Sequence, residues 1–369
     1  MYSHSVTVPE VRMSSEKIVA VGMSGGVDSS VAAALLLKKG YRVVGLTMAI
    51  WDGSIKLSEG IKHSCYGPGE EEEIETVQKI CGELGIPHHV VDLKKEYHDE
   101  VISYFKREYL AGRTPNPCVM CNYRMKFGFL IEKAKHAGVD FDYFATGHYV
   151  RAVKENGEYY LKKALDTAKD QTYFLQGINK EIIGNIIFPL GEMKKEEVRS
   201  IAREIGLEVA DRPESQDFIA GEYGQIFEEE SLKEGDIVNE SGVVLGRHKG
   251  IVHYTVGQRK GLGISNPDPL YVLRIDAKNN KVIVTDKGQL FGSELTASSF
   301  NYLLPGKPPE EFRAHARIRQ KHKEAAALIT MLSEDRIRVR FDQPQLSITP
   351  GQAVAIYEGE TLAGGGTID

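Results

Sequence analysis

An apolar run from Ile18 to Met23 passes directly into Ser24-Gly25-Gly26-Val27-Asp28-Ser29-Ser30 and then into an Ala- and Leu-rich run from Ser29 to Lys39. This reads as a buried strand, a glycine turn and a helix. It constrains the fold most, because such a turn sets backbone N–H groups at a helix N-terminus, where unpaired donors and the helix dipole stabilise an anion. Gly25 and Gly26 allow positive φ and let a phosphate approach the backbone closely. There is no Gly-Lys-Ser/Thr, so this is not a Walker A loop, and no G-x-G-x-x-G, so the dinucleotide fingerprint is absent. A lone Ser-Gly-Gly would be an ordinary strand-to-helix loop; seven residues in this context are far more specific.

The first half of the chain continues the alternation. Tyr41 to Met48 reads as a strand and Glu70 to Leu84 as a helix with an acidic start, Gly85 as its C-cap and Pro87 beyond. His88 to Leu93 reads as a strand, Glu96 to Leu110 and Tyr123 to Ala137 as helices, and Phe141 to Ala145 as a strand leading to Thr146-Gly147-His148. Such alternation predicts a parallel sheet covered on both faces, with ligands beyond the C-terminal strand ends. The loops after Met23, Met48 and Ala145 share that rim. Lys194 to Ile205 is a last clear helix. From about Asp211 short β-branched runs follow, among them Val243 to Leu245, Tyr271 to Ile275, Val282 to Thr285, Ala314 to Arg319, Arg336 to Phe341 and Ala353 to Tyr357. They predict an all-β barrel or sandwich.

At 369 residues the chain has room for two or three domains. Its 27% charged and 41% hydrophobic residues are ordinary for a soluble protein. No apolar run reaches about 18 residues, so no membrane span is expected, and Met1 to Arg12 reads as a frayed tail. Four cysteines in this length do not make a disulfide scaffold and point to a reducing, cytoplasmic location. A net charge of −6 argues against a uniformly basic nucleic-acid binder but leaves room for local basic strips.

The second informative stretch is Gly112-Arg113-Thr114-Pro115-Asn116-Pro117-Cys118-Val119-Met120-Cys121-Asn122. Two prolines predict a stiff, non-helical loop through Cys121, holding both sulfurs for metal ligation or persulfide chemistry. Asn122 is then the expected cap of a helix from Tyr123, whose N-terminus would lower the Cys121 pKa. The plain alternative is half a zinc knuckle or two buried thiols, and no second CxxC or Cys/His pair completes a zinc set.

With these segments in view, the chain resembles the tRNA-specific 2-thiouridylases of the MnmA type, within the PP-loop ATP pyrophosphatase superfamily. The matching segments are Gly22 to Ser29; Arg113 to Asn122 with Lys126-Phe127; Ala145 to Tyr149; Lys169 to Leu175; Glu214-Ser215-Gln216-Asp217; Gly246 to Gly250; Tyr254 to Gly263; and Pro350-Gly351-Gln352. The resemblance implies a PP-loop domain of the adenine nucleotide alpha hydrolase type, a small central domain and a C-terminal tRNA-binding β-barrel. The boundaries expected here are a flexible tail at 1–14, then domains at 15–212, 213–290 and 291–369. It implies ATP-dependent replacement of the C2 oxygen of the tRNA wobble uridine by sulfur, with ATP and Mg²⁺, and with tRNA and a persulfide or sulfide donor protein as partners. ATP contacts are implied at Gly22, Met23, Ser24, Gly25, Gly26, Val27, Asp28, Ser29, Met48 and Gly147, with Asp28 on the metal. Met48 taken alone is a core residue. Cys121 is the implied sulfur position. Contacts to tRNA are implied at His148, Lys169, Asp170, Gln171, Arg317, Arg319, Gln320 and Gln352, although His148 alone could be a satisfied rim histidine.

Two departures stand out. Many family members carry a non-cysteine residue at the Cys118 position and a second catalytic cysteine after the Asp/Glu-Ser segment. Here Glu214 to Gly221 reads Glu-Ser-Gln-Asp-Phe-Ile-Ala-Gly, without cysteine. Cys118 and Cys65 are the compensating candidates, whereas Cys81 reads as a core thiol. Two mechanisms remain open: a Cys121–Cys118 dithiol, or a 4Fe-4S cluster on Cys65, Cys118 and Cys121 with one iron open for sulfide.

In Phe312 to Lys323 the side chains Arg313, His315, Arg317, Arg319, Lys321 and Lys323 recur with period two, predicting one basic strand face for tRNA phosphates rather than a merely solvated face. Arg247, Lys249, Arg259 and Lys260 add a second strip. Two rival readings are a PP-loop amide synthetase, which leaves the CxxC unexplained, and a non-catalytic RNA-binding module with a structural CxxC metal site.

Overall fold

The computed structural model describes residues 17–55, 57, 64–212, 217–219, 223–227 and 232–369. The expected N-terminal tail and most of the Glu214–Gly221 departure lie outside the described residues.

The first domain is built on strands β1 (Ile18–Gly22), β2 (Arg42–Ala49), β3 (Ser64–Tyr66), β4 (His88–Asp92), β5 (Tyr143–Thr146), β6 (Val150–Glu155), β7 (Glu158–Lys163), β8 (Ile186–Ile187) and β9 (Asp217–Ile219). Five of them form one parallel sheet in the order β4-β2-β1-β5-β8. Val19, Ala20 and Val21 of β1 are fully buried, as a central strand covered on both faces requires. The strand order reverses at β1, so the loops after β1 and β5 flank the crevice where ligands of such sheets bind.

The helices are α1 (Val27–Lys38), α2 (Glu70–Leu84), α3 (Lys94–Tyr97), α4 (Ser103–Leu110), α5 (Pro117–Met120), α6 (Leu130–His136) and α7 (Lys195–Glu204). α1 and α7 pack on one sheet face around Val31, Leu36, Val198 and Ala202; α3, α4 and α6 pack on the other around Tyr97, Phe105 and Leu130. A π-helical turn, His98–Ile102, joins α3 to α4, and a nine-residue π-helix, Cys121–Phe129, joins α5 to α6. π segments of this kind concentrate at functional sites.

The central domain is a four-stranded sheet in the order β11-β10-β13-β12, from β10 (Gly235–Asn239), β11 (Val244–His248), β12 (Tyr271–Asp276) and β13 (Lys281–Thr285). The last domain contains β14 (Phe291–Tyr302), β15 (Glu311–Arg317), β16 (Ala325–Ser333), β17 (Arg336–Leu346), β18 (Ala353–Glu358) and β19 (Thr361–Ile368). These six close into a barrel, because β14 pairs with both β17 and β19. Its core holds Ile329, Ile337, Val339, Val354 and Ile356. The β6–β7 hairpin of the first domain extends the barrel's sheet through Thr361 and Lys162.

Three local expectations are corrected. The helix around the CxxC begins at Pro117, six residues before the expected start at Tyr123, because proline is well suited to the first helical position. Its cap is Asn116, whose side chain accepts from Val119 N at 3.2 Å, rather than Asn122. The basic alternation is not one strand face: β15 ends at Arg317, and Lys321 and Lys323 lie in the turn that follows.

Candidate active site

The turn after β1 is held in shape by its own hydroxyls. Ser24 N donates to Ser29 Oγ at 3.2 Å, and the Ser29 and Ser30 hydroxyls donate to Gly26 O at 3.2 and 2.9 Å. Gly25 has φ +70°, a conformation costly for residues with a Cβ. Arg212 donates to Gly25 O at 3.1 Å and reaches Glu73 at 3.5 Å, bracing the turn from behind. The first amides of α1 have no intrahelical acceptor and face the crevice. Met23 N donates to Leu46 O at 2.8 Å, which ties the loop to β2, where Met48 is half-buried. Gly147 lies directly against the loop: a Cβ there would sit 2.7 Å from Asp28 C and Ser29 N.

Asp28, expected as a metal ligand, is engaged. Lys195 Nζ donates to its two carboxylate oxygens at 2.7 and 2.8 Å, and the Tyr149 hydroxyl donates to Oδ1 at 2.9 Å. Sequence reasoning missed Lys195, Tyr149 as an Asp28 partner, and Arg212.

The thiols form the second wall. None is in a disulfide; Cys118 and Cys65 reach the surface and Cys121 is half-buried. The expected drop in the Cys121 pKa does not occur. Burial pushes its thiol up to about 11; Lys126 pulls it down and Cys65 adds to the rise. Dense packing around the Cys65 sulfur also raises its pKa despite its surface edge, with Lys126 lowering it and Glu73 raising it again. Tyr97, fully buried, has its hydroxyl pKa raised first by burial and then by Cys121, Cys65 and Cys118, so all three sulfurs lie within electrostatic reach of that hydroxyl. β3, which carries Cys65, pairs with β9 in parallel, Ser64 beside Asp217 and Tyr66 beside Ile219. Cys65 therefore lies next to the segment where the family resemblance places a second cysteine. Among the described residues no three His, Cys, Asp or Glu side chains are grouped to hold a metal ion.

His148 joins the two walls. It follows Gly147, is 7% exposed, and bonds Thr146 Oγ1 through Nδ1 at 2.7 Å. Its ring packs on Phe127 and Phe188. Burial and Lys126 drive its pKa well down, so the ring is neutral and enclosed, not a rim histidine. Lys126 thus acts on His148, Cys65 and Cys121 alike.

The residues expected at tRNA fasten loops together in this structure. Asp170, 3% exposed, accepts from Arg317 Nη1 at 3.1 Å and from Thr172 Oγ1 at 2.9 Å. Arg317 also donates to Glu324 at 2.8 Å. Gln320 donates to Asp170 O at 2.7 Å, and Gln171 accepts from Tyr149 N at 2.9 Å. Arg319 donates to Ser347 O at 2.6 Å and Thr349 Oγ1 at 2.5 Å. Gln352 donates to Thr114 O and Pro115 O at 3.0 and 3.2 Å, gripping the loop before the cysteines. Lys169 is half-buried beside Asp170. Lys321, Lys323, Arg259 and Lys260 are exposed.

A parallel sheet with an anion-binding turn at its switch point, followed by two β domains, defines the class: a PP-loop α/β protein with β-rich appendages. Family models match throughout, described as tRNA methyl transferase HUP domain over residues 17–220, tRNA methyl transferase PRC-barrel domain over 225–286 and aminomethyltransferase beta-barrel domain over 292–368. The tRNA-specific 2-thiouridylase MnmA of Acetivibrio thermocellus is 46% identical over 96% of this chain and 99% of its own length. That of Endomicrobium trichonymphae is 45% identical over 96% and 100%. The chain belongs to the tRNA-specific 2-thiouridylase family.

Proposed function

We propose that this protein is an ATP-dependent tRNA uridine 2-sulfurtransferase working in the cytoplasm. The observation that carries the reading is that the glycine turn and the cysteine segment come together at His148 and Lys126. The anion-binding turn is pressed against Gly147, and His148 beside it shares Lys126 with Cys121 and Cys65. A site that activates an oxygen with ATP and then replaces it with sulfur needs that neighbourhood.

The uridine C2 oxygen attacks the α-phosphorus of ATP and pyrophosphate leaves with the bond's electron pair. The amides of the Gly25–Asp28 turn stabilise the charge on that leaving group. The donor set around Asp28 fits a Mg²⁺ brought in with the nucleotide, since Mg²⁺ commonly uses one carboxylate plus phosphates and waters. When bound it would neutralise phosphate charge. Cys121, charged with a terminal sulfur by a persulfide donor protein, attacks C2 through that sulfur and AMP departs. The Cys118 thiolate then attacks the Cys121 sulfur, forming a Cys118–Cys121 disulfide and releasing 2-thiouridine; a thiol reductant restores the pair. With its pKa pushed up to about 11 by burial, the Cys121 thiol is mostly protonated near neutral pH, which limits its oxidation. Among the described residues Cys65, Cys118 and Cys121 do not converge as the ligand group a 4Fe-4S cluster requires.

The test is nucleoside mass spectrometry with product analysis of ATP. Asp28→Ala should stop AMP formation, and Cys121→Ser should allow AMP formation without 2-thiouridine. ADP and phosphate as products would refute the mechanism. Full activity of Cys118→Ala with a persulfide donor would remove the dithiol step.

A further inference from the structure

We propose that Lys195 is a catalytic cation, held on Asp28 in the nucleotide-free enzyme and transferred to the triphosphate when the metal–nucleotide complex takes over the Asp28 carboxylate. This rests on the sulfurtransferase reading and adds a residue to its first step.

Lys195 is the first residue of α7 and only 8% exposed. A cation there opposes the helix dipole, and burying an ammonium is costly unless it is paired. Local structure therefore disfavours lysine at this position; its compensation is Asp28, 167 residues away, at 2.7 Å. The backbone end is anchored too, since Lys195 N donates to Asp166 Oδ2 at 3.0 Å. Asp166 also accepts from Ala168 N at 3.2 Å, and its carbonyl from Lys169 N at 3.0 Å, so the loop leading to Lys169-Asp170-Gln171 shares this anchor. The Nζ lies 5.7 Å from the centre of the Tyr149 ring, whose hydroxyl is also on Asp28. The ammonium is thus guided on two sides and lies beside the turn that receives phosphate.

The chemistry explains the arrangement. An unpaired Asp28 carboxylate would repel an incoming polyanion at the mouth of the turn, and Lys195 cancels that charge. Once a divalent cation arrives with the nucleotide, Asp28 exchanges one cation for another. The freed ammonium, on a flexible four-carbon stem, is then available where negative charge develops as the bond from α-phosphorus to the pyrophosphate oxygen breaks. Proton count does not change: Lys195 remains an ammonium throughout.

The experiment compares wild type, Lys195→Met and Lys195→Gln in the full-length enzyme. Binding of Mn²⁺ without nucleotide, followed by electron paramagnetic resonance, should tighten in Lys195→Met by about tenfold as Asp28 loses its competitor. Single-turnover AMP formation with tRNA should fall on the order of 10²–10³-fold, the usual loss for one charge-stabilising donor, while tRNA affinity stays within about twofold. Unchanged Mn²⁺ affinity, or AMP formation at the wild-type rate, overturns the proposal. If Lys195→Met does not fold, Lys195→Gln decides: it keeps a donor to Asp28 without charge, so a similar rate loss supports the proposal and full activity overturns it. A wild-type enzyme that forms no AMP on any tRNA would instead sink the sulfurtransferase reading, which separates the two failures.

Discussion

Replacing Gly147 by alanine is the sharpest test of how the nucleotide turn is held. The added Cβ would lie 2.7 Å from Asp28 C and Ser29 N and 3.0 Å from Asp28 Cβ, where ordinary contacts fall at 3.4–4 Å. Nothing flexible is available to give way, because the first two neighbours are backbone atoms of the first turn of α1. Either β5 or the turn must retreat by about 0.7 Å. Overpacking of this kind costs about 1–3 kcal/mol, and a misplacement near 1 Å at a reacting centre costs about 10²-fold in rate. Nucleotide affinity, measured with a non-hydrolysable ATP analogue, should fall about tenfold or more, and AMP formation should fall further because the shift acts on alignment as well as binding. Gly82→Ala is the control: its Cβ meets nothing within 4 Å in the last turn of α2, so the protein should gain up to about 0.5–1 kcal/mol with unchanged nucleotide affinity. A Gly147→Ala enzyme with wild-type affinity and AMP rate would refute the reasoning.

Arg317→Ala should lower stability by about 3–5 kcal/mol, because it strips a partner from the buried Asp170 carboxylate; denaturant titration measures it, and a loss below about 1 kcal/mol would mean that the network relaxes freely. The pKa of Cys121 is raised to about 11, so its thiolate fraction grows about tenfold per pH unit below that value; persulfide loading of Cys121 should rise continuously from pH 7 to pH 9, and a plateau below pH 8 would contradict the burial argument. Lys321→Ala with Lys323→Ala should reduce the slope of log K for tRNA against log salt by about 0.7 to 0.9 per lost phosphate contact; an unchanged slope would leave both as solvated side chains.

Legibility followed sequence distance. The turn between β1 and α1 was readable because strand, glycines, hydroxyls and helix are contiguous, and a turn of that kind is determined locally. The CxxC is legible but its setting is not: Pro117 reads as a barrier to helix yet is the first helical residue, so Cys118 and Cys121 fall inside the helix rather than ahead of it. The Cys121 pKa shift is opposite in sign to what the helix alone predicts. A helix N-terminus favours thiolate, but enclosure beside Tyr97 disfavours it, and packing of that kind leaves no mark on neighbouring residues in the chain. Lys195 was invisible for the same reason, since its partner lies 167 positions away. The alternating cations of 313–323 are legible as cations but only partly as paired ones: Arg317 meets Glu324 seven residues on, but its buried partner Asp170 is 147 residues distant, and the Arg319 acceptors are carbonyls and a hydroxyl of another loop.

Those pairings change what the barrel is for. A domain that only held RNA could be tethered loosely, with its cations turned to solvent. Here Gln352 grips the carbonyls of Thr114 and Pro115, and Thr114 N donates to Pro350 O at 2.8 Å. Gly351, with φ +88°, approaches Thr114 so closely that a Cβ would sit 2.9 Å from its backbone. On the other side Arg317 and Gln320 hold Asp170 in the loop whose next residue, Gln171, accepts from Tyr149 N, while the Tyr149 hydroxyl bonds Asp28. The barrel therefore shapes both the segment leading to Cys118 and the segment leading to the nucleotide turn. Ligand-driven movement of one must be felt by the other through a few short, buried bonds, because closely packed interfaces resist continuous deformation. Under the proposed function, RNA docking against the barrel would bear on both segments at once, so its arrival would align the two chemical steps together.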